Sequence, residues 1–186
     1  RTDATTGVIR AYQQNKLYEV LGNAYWEADQ TEQAIASFQK SLEMGVDLES
    51  QRAQWVKLNA LKRPPEQAKP LMKYLLGKLK KSEARQWLKE ALEISPDDVT
   101  LRYLYGRNLF NAQDYREAIK QFENLKHPFA LIQAEVHRVG ASAGWYSNQF
   151  DFAEKEYKQF QSVAPNSGEY ERASEWLDRI KWKRKQ

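Results

Sequence analysis

The chain repeats itself at a 34-residue interval, and that interval limits what it can fold into. Ala84 to Ala118 is 34 residues, and so is Leu88 to Phe122. Met72, Gly106 and Gly140 keep the same 34-residue step, each after a larger residue (Leu71, Tyr105, Val139). The stretches EADQTEQAIASFQKSLE (27–43) and NAQDYREAIKQFENL (111–125) share a polar turn, acidic residues and then A-I-x-x-F. KKSEARQWLKEALEISP joins them through Ala84, Leu88, Ala91 and Pro96. FDFAEKEYKQFQSVAP does so through Ala153, Tyr157, Phe160 and Pro165. A unit of this size cannot bury its apolar stripe alone, so neighbouring units must stack.

The residue types say how. Only 8 Gly and 6 Pro occur among 186 residues, while Leu, Ala, Lys, Glu and Gln abound, so the units are helical. Small residues (Gly22, Gly106, Gly140; Ala34, Ala84, Ala118, Ala153) mark close backbone approaches. Large ones (Tyr25, Leu109, Phe38, Phe122, Tyr157) fill the space between. The GASAG run at 140–144 lacks the Lys of a phosphate loop and reads as close packing.

This pattern resembles the tetratricopeptide repeat (TPR) family. In the first copy Tyr18, Leu21, Gly22, Tyr25, Ala34 and Phe38 fall on the family's signature positions, with Ser41 in place of the usual Ala. The resemblance covers roughly residues 15–167 in about four copies. It implies an all-α, right-handed α-solenoid of helix-turn-helix repeats, each an A helix and a B helix, with a C-terminal capping helix.

Two irregularities interrupt the repeat. Ala34 and Ala84 are 50 residues apart, 16 more than one period. The surplus predicts an extra helix from Leu48 to Leu61, stopped by Pro64-Pro65. The expected layout is repeat 1 at 15–48, an inserted helix at 49–64, and repeats 2, 3 and 4 at 65–98, 99–132 and 133–167. A capping helix at 168–186 completes the layout, with Tyr170, Ala173, Trp176, Leu177 and Ile180 as its apolar stripe. Pro70 is expected to shorten the A helix of repeat 2. Ala118 to Ala153 is 35 residues, which places one extra residue in the turn around Tyr146–Gln149, where Asn148 suits a left-handed backbone. Residues 1–14 hold no complete copy and read as a remnant of an earlier repeat or an arm. The chain starts at Arg1 rather than Met and reads as part of something longer.

Composition narrows the function. There is no Cys, so no disulfide, thiolate metal site or cysteine nucleophile exists. That fits both an extracytoplasmic and a cytoplasmic setting. His127 and His137 lack metal-site spacing, and no catalytic triad is readable. No enzyme activity, metal or cofactor is expected. No apolar run reaches membrane-helix length. Basic residues exceed acidic ones by 29 − 25 = 4, a mild excess.

In TPR arrays the A helices line a concave face that holds peptides or partner helices. Carried over position by position, the resemblance implies partner-binding roles for Asn23, Trp26, Lys73, Tyr103, Arg107, Phe110, His137 and Trp145. Lys73, Tyr103, Arg107, Phe110, His137 and Trp145 are expected to form one strip. Cations beside rings suit a partner segment with acidic and apolar groups. Tyr103, Phe110 and Trp145 also have a plain alternative, packing against the next repeat or the capping helix. The carboxylate clamp for chaperone tails is disfavoured, because Glu19 stands where that clamp has Lys, and Thr100 and Leu104 stand at two more of its positions. The leading expectation is a protein–protein interaction scaffold. Two alternatives remain: a nucleic-acid-binding repeat using the KWKRKQ tail, and a self-assembly module using Trp55 or Trp182.

Overall fold

A computed structural model describes residues 2–163 and 168–186. Pro165, expected to close the fourth repeat, lies outside them. The described residues form ten helices and no strand: α1 (Thr2–Glu27), α2 (Thr31–Met44), α3 (Leu48–Leu61), α4 (Pro65–Leu75), α5 (Lys81–Ile94), α6 (Val99–Asn111), α7 (Tyr115–Phe122), α8 (Ala130–Tyr146), α9 (Phe150–Val163) and α10 (Gly168–Lys183). They divide into two compact units, residues 1–80 and 81–186. The division falls inside the expected second repeat.

In the first unit α1 packs on α2, α2 on α3 and α3 on α4. The segment before residue 15 is helical and continuous with the first repeat, because α1 runs unbroken from Thr2 to Glu27. Helix α3 has the bounds read from the sequence, with Asp47 accepting the Ser50 N–H at its N-cap (2.7 Å). Helix α4 runs through Pro70 to Leu75, so Pro70 does not end it. Ala68 and Met72 lie 34 residues after Ala34 and Phe38 and are buried like them. Asn15, fully buried, ties three helices together. Its amide donates to Ser41 O (2.8 Å) and accepts from Ser50 Oγ (3.0 Å). The Ser41 departure from the repeat pattern belongs to this contact, since Ser41 Oγ donates back to Asn15 O (3.4 Å).

In the second unit α6 packs on α5, α7 and α8; α9 lies between α8 and α10. Helix α10 buries Ala173, Leu177 and Ile180 against α9, whereas Tyr170, expected in that stripe, is exposed. Arg184 pins the end of α10 by pairing with both Asp151 and Glu154 of α9.

Three hairpins share one turn. Asp29, Gln113 and Asn148 have φ of 56°, 64° and 60°. In each, the N–H of the next residue returns to the carbonyl five positions back: Gln30 to Tyr25 (2.8 Å), Asp114 to Leu109 (3.0 Å) and Gln149 to Gly144 (2.8 Å). The turns at 28–30, 112–114 and 147–149 are equally long, so the extra residue is not in the last one. It lies upstream. Gly22 and Gly106 each stand seven residues before the left-handed residue; the seventh before Asn148 is Ala141, not Gly140.

The contacts agree. A Cβ on Gly22 would meet the Phe38 ring at 2.5 Å, and one on Gly106 the Phe122 ring at 2.6 Å. At Gly140 the nearest atom is 3.5 Å away, an ordinary contact. In GASAG the close approach belongs to Gly144, where a Cβ would lie 3.0 Å from the Ala153 backbone nitrogen and Cβ. Gly106→Ala is therefore expected to destabilise the fold by about 1–3 kcal/mol, because Phe122 is buried and cannot swing away. Gly140→Ala is expected to be neutral or to stabilise by up to about 1 kcal/mol through helix propensity. Urea denaturation of the two variants tests this; equal midpoints would contradict the register.

Candidate functional site

The expected strip divides between the units. Asn23, Trp26 and Lys73 belong to the first and the other five residues to the second.

In the first unit a pocket of about 560 Å³ opens between the α1–α2 turn and helices α3 and α4. Trp26, Leu61, Pro65 and Ala68 form its apolar wall; Arg63, Lys69, Lys73 and Lys78 supply cations, against Glu27 and Asp29. Trp26 reaches it from the last full turn of α1, Lys73 from the outward face of α4. Lys78 is held by Glu27 (2.5 Å) and Arg63 by Asn59 (2.9 Å). Lys69 and Lys73 are exposed and have no partner among the described residues. The 34-residue pattern singled out Trp26 and Lys73. Arg63, Lys78 and Leu61 were missed, since they come from the segment read as an insertion and from a loop, where the period gives no guidance.

Asn23 is engaged elsewhere. It accepts a hydrogen bond from Lys57 Nζ (3.0 Å), which also lies 3.4 Å from Glu19. Burial pushes the Lys57 amine below the usual lysine range, against the opposing pull of Glu19. Burial also pushes Glu19 up, but hydrogen bonds and charge from Lys16 and Lys57 hold its carboxyl below the usual range. Glu19 therefore serves as the counter-ion of a buried lysine.

In the second unit the expected residues are largely turned inward. Tyr103 is 1% exposed, and its hydroxyl donates to Glu135 (3.1 Å). Arg107 donates to the Tyr103 hydroxyl (3.2 Å) and lies 3.4 Å from the Glu135 carboxylate. Glu135 on α8 is buried and needs a cation, and Arg107 on α6 provides it. His137 lies between Glu156, 2.7 Å from Nδ1, and Gln133, 2.8 Å from Nε2. Gln133 Oε1 accepts the His127 N–H, and its Nε2 also donates to Leu125 O, so the amide anchors the α7–α8 loop. Trp145 packs edge-on to Phe150 (5.4 Å) and Trp176 (5.1 Å) inside the α8–α10 core. Phe110 meets Tyr115 (5.4 Å) and Tyr146 (6.3 Å). Of the aromatics at the end of α8, Tyr146 is the exposed one. Glu135 and Glu156 are not readable from the repeat, because they are neither periodic nor close in sequence to Arg107 and His137, the residues they hold. Gln133 is four residues before His137 on α8, a spacing the sequence does show.

Residues 16–44 match a family model described as the tetratricopeptide repeat. These residues, in α1 and α2, carry one tetratricopeptide repeat. Two solved structures are similar to the chain. One is a MamA mutant, 18% identical, with a TM-score of 0.48, covering 86% of this chain and 79% of that one. The other is MamA AMB-1, 17% identical, with a TM-score of 0.48, covering 86% and 84%. No curated protein matches the sequence significantly. A TPR is a protein-interaction module, and the match supports a scaffold role in binding other proteins. Among the described residues no helix is long and apolar enough to cross a membrane. The basic tail offers less free charge than its composition implies: Arg184 is paired with Asp151 and Glu154, and Lys181 with Asp178 (3.1 Å).

The burial of His127 gives the fold an expected pH dependence. The His127 Nδ1 accepts the Phe129 N–H (3.1 Å) and its Nε2 lies 3.2 Å from Thr100 Oγ1. Burial pushes its pKa below the usual histidine range. The unfolded chain thus binds the proton more readily than the folded one. The contribution is fully present above about pH 6.5 and is lost as pH falls from there through the depressed folded value. His127→Asn is expected to flatten the decline in urea midpoint below about pH 6.5. A slope unchanged from the parent chain would refute the assignment.

Proposed function

We propose that the first unit binds a segment of a partner protein that is acidic and carries an apolar anchor. The observation that supports this is the pocket between the α1–α2 turn and α3–α4, which Trp26 lines together with Lys69 and Lys73, two cations with no partner among the described residues. The apolar wall can bury a large side chain, and the two ammonium groups can pair with flanking carboxylates. On this reading Trp26 and Lys73 are the contact residues, while Asn23, Tyr103, Arg107, His137 and Trp145 hold the scaffold in shape. Peptide arrays that vary acidic and apolar content give the first test. Sequences with carboxylates around an aromatic or Leu are expected to bind best, and more weakly as salt rises. Trp26→Ala and Lys69→Glu/Lys73→Glu are each expected to weaken such binding roughly tenfold or more. Binding that ignores the charge reversal sinks the proposal.

Self-association is a second reading, favoured by one observation. Val8, Ile9, Tyr12 and Val20 are all about half exposed or more on the long helix α1. A stripe of that kind is a common mark of an interface. Ile9→Glu is expected to abolish any concentration-dependent mass in light scattering. A parent chain that stays monomeric up to high concentration rules this reading out.

A further inference from the structure

A second pocket, in the other unit, plays no part in partner binding by the first unit and does not depend on it. It measures about 180 Å³ and lies where α8, α9 and the start of α10 meet. Arg138, Ser142, Tyr157, Glu169, Arg172 and Trp176 face it, with small Ala173 and the ring of Phe160 beneath. One wall is aromatic: the Tyr157 and Trp176 rings are stacked (6.3 Å, 8°), and Arg179 covers the indole at 4.7 Å.

Among the described residues its polar groups are short of acceptors. Arg138 Nη2 lies 3.6 Å from Glu135, and Arg138 Nε lies 3.8 Å from Glu169. Both distances exceed a hydrogen bond. The Nε is buried and has no hydrogen-bond partner among the described residues. A guanidinium carries five donors, and a buried donor left unmade is costly, so such a group asks for an acceptor. Arg172 has no ion pair or hydrogen bond among the described residues. Ser142 Oγ donates to Arg138 O (3.1 Å), so at the 3.3 Å contact with Tyr157 the phenol is the donor. Burial raises the Tyr157 pKa, which keeps that proton in place. The one carboxylate lining the pocket is Glu169, in the first turn of α10.

We infer that this pocket is an oxyanion site, in which Arg138 and Arg172 receive a single carboxylate or phosphoryl group and Glu169 is displaced from Arg138 as it enters. The planar fork of Arg138 suits two-point contact with either anion, and the small volume admits the head of a side chain but not a folded element. Glu169 acts as a weak internal competitor. Held 3.8 Å away, it lowers the affinity of the empty pocket without filling it.

The test uses the full chain and arginine Nε–H NMR signals. Acetate and inorganic phosphate are titrated separately at constant ionic strength, with chloride as the control. The expected result is a saturable shift of the Arg138 Nε–H and Trp176 indole signals at millimolar anion. Acetate alone acting assigns the source to carboxylates, and phosphate alone assigns it to phosphoryl groups. Arg172→Gln is expected to weaken binding roughly fivefold. Glu169→Gln is expected to tighten it roughly threefold or more, a gain that a damaged fold cannot imitate. No saturable shift with either anion, or a Glu169→Gln variant that binds no tighter, overturns the inference.

Discussion

Two phenylalanine rings seated on two glycines set the geometry on which the rest depends. Phe38 lies where a Cβ of Gly22 would be, and Phe122 does the same at Gly106. With no side chain on the glycine, two helices approach closely enough for an aromatic ring to fill the gap completely. Each ring is fully buried, so its position fixes the rotation and height of both helices in a hairpin. The left-handed turn seven residues later then closes the hairpin at a set length. That register decides which side chains reach the surface, including which residues of α1 reach the pocket beside α4.

Much of this was legible in the chain itself. The helices, the Ala-and-Phe close packing, the bounds of α3 and the turn at Asn148 can be read from spacing and residue type. These are local or strictly periodic properties, and periodicity is what a sequence displays most clearly. Register failed at one point. Gly140 attracted attention because it is a glycine at the right interval, yet Ala141 holds the equivalent position. A small residue satisfies the interval, but only the turn shows which small residue is meant.

The candidate site was less legible, for an electrostatic reason. Position on an A helix says which way a side chain leaves the backbone, not what meets it. Arg107, expected to face a partner, is met by Glu135 from the next hairpin. Asn23 is met by Lys57, and His137 by Glu156. A buried ion requires a partner, and these partners come from positions that carry no periodic signal. Among the described residues, Lys69 and Lys73 beside Trp26 stay available in one unit, and in the other Arg172 stays available beside Arg138, whose Nε makes no hydrogen bond.

The three identical turns carry a consequence for chain length. Because each turn residue sits a fixed distance from the small residue under the next helix, a hairpin cannot gain or lose a residue without unseating its packing. The loop from 123 to 129 is tied by His127 and Gln133 rather than by a fixed glycine-to-turn spacing, and it is upstream of Ala141 that the last hairpin has taken up its one extra residue. Growth and trimming of this molecule are thus confined to the joints between hairpins, where new sequence can accumulate while the hairpins keep their dimensions.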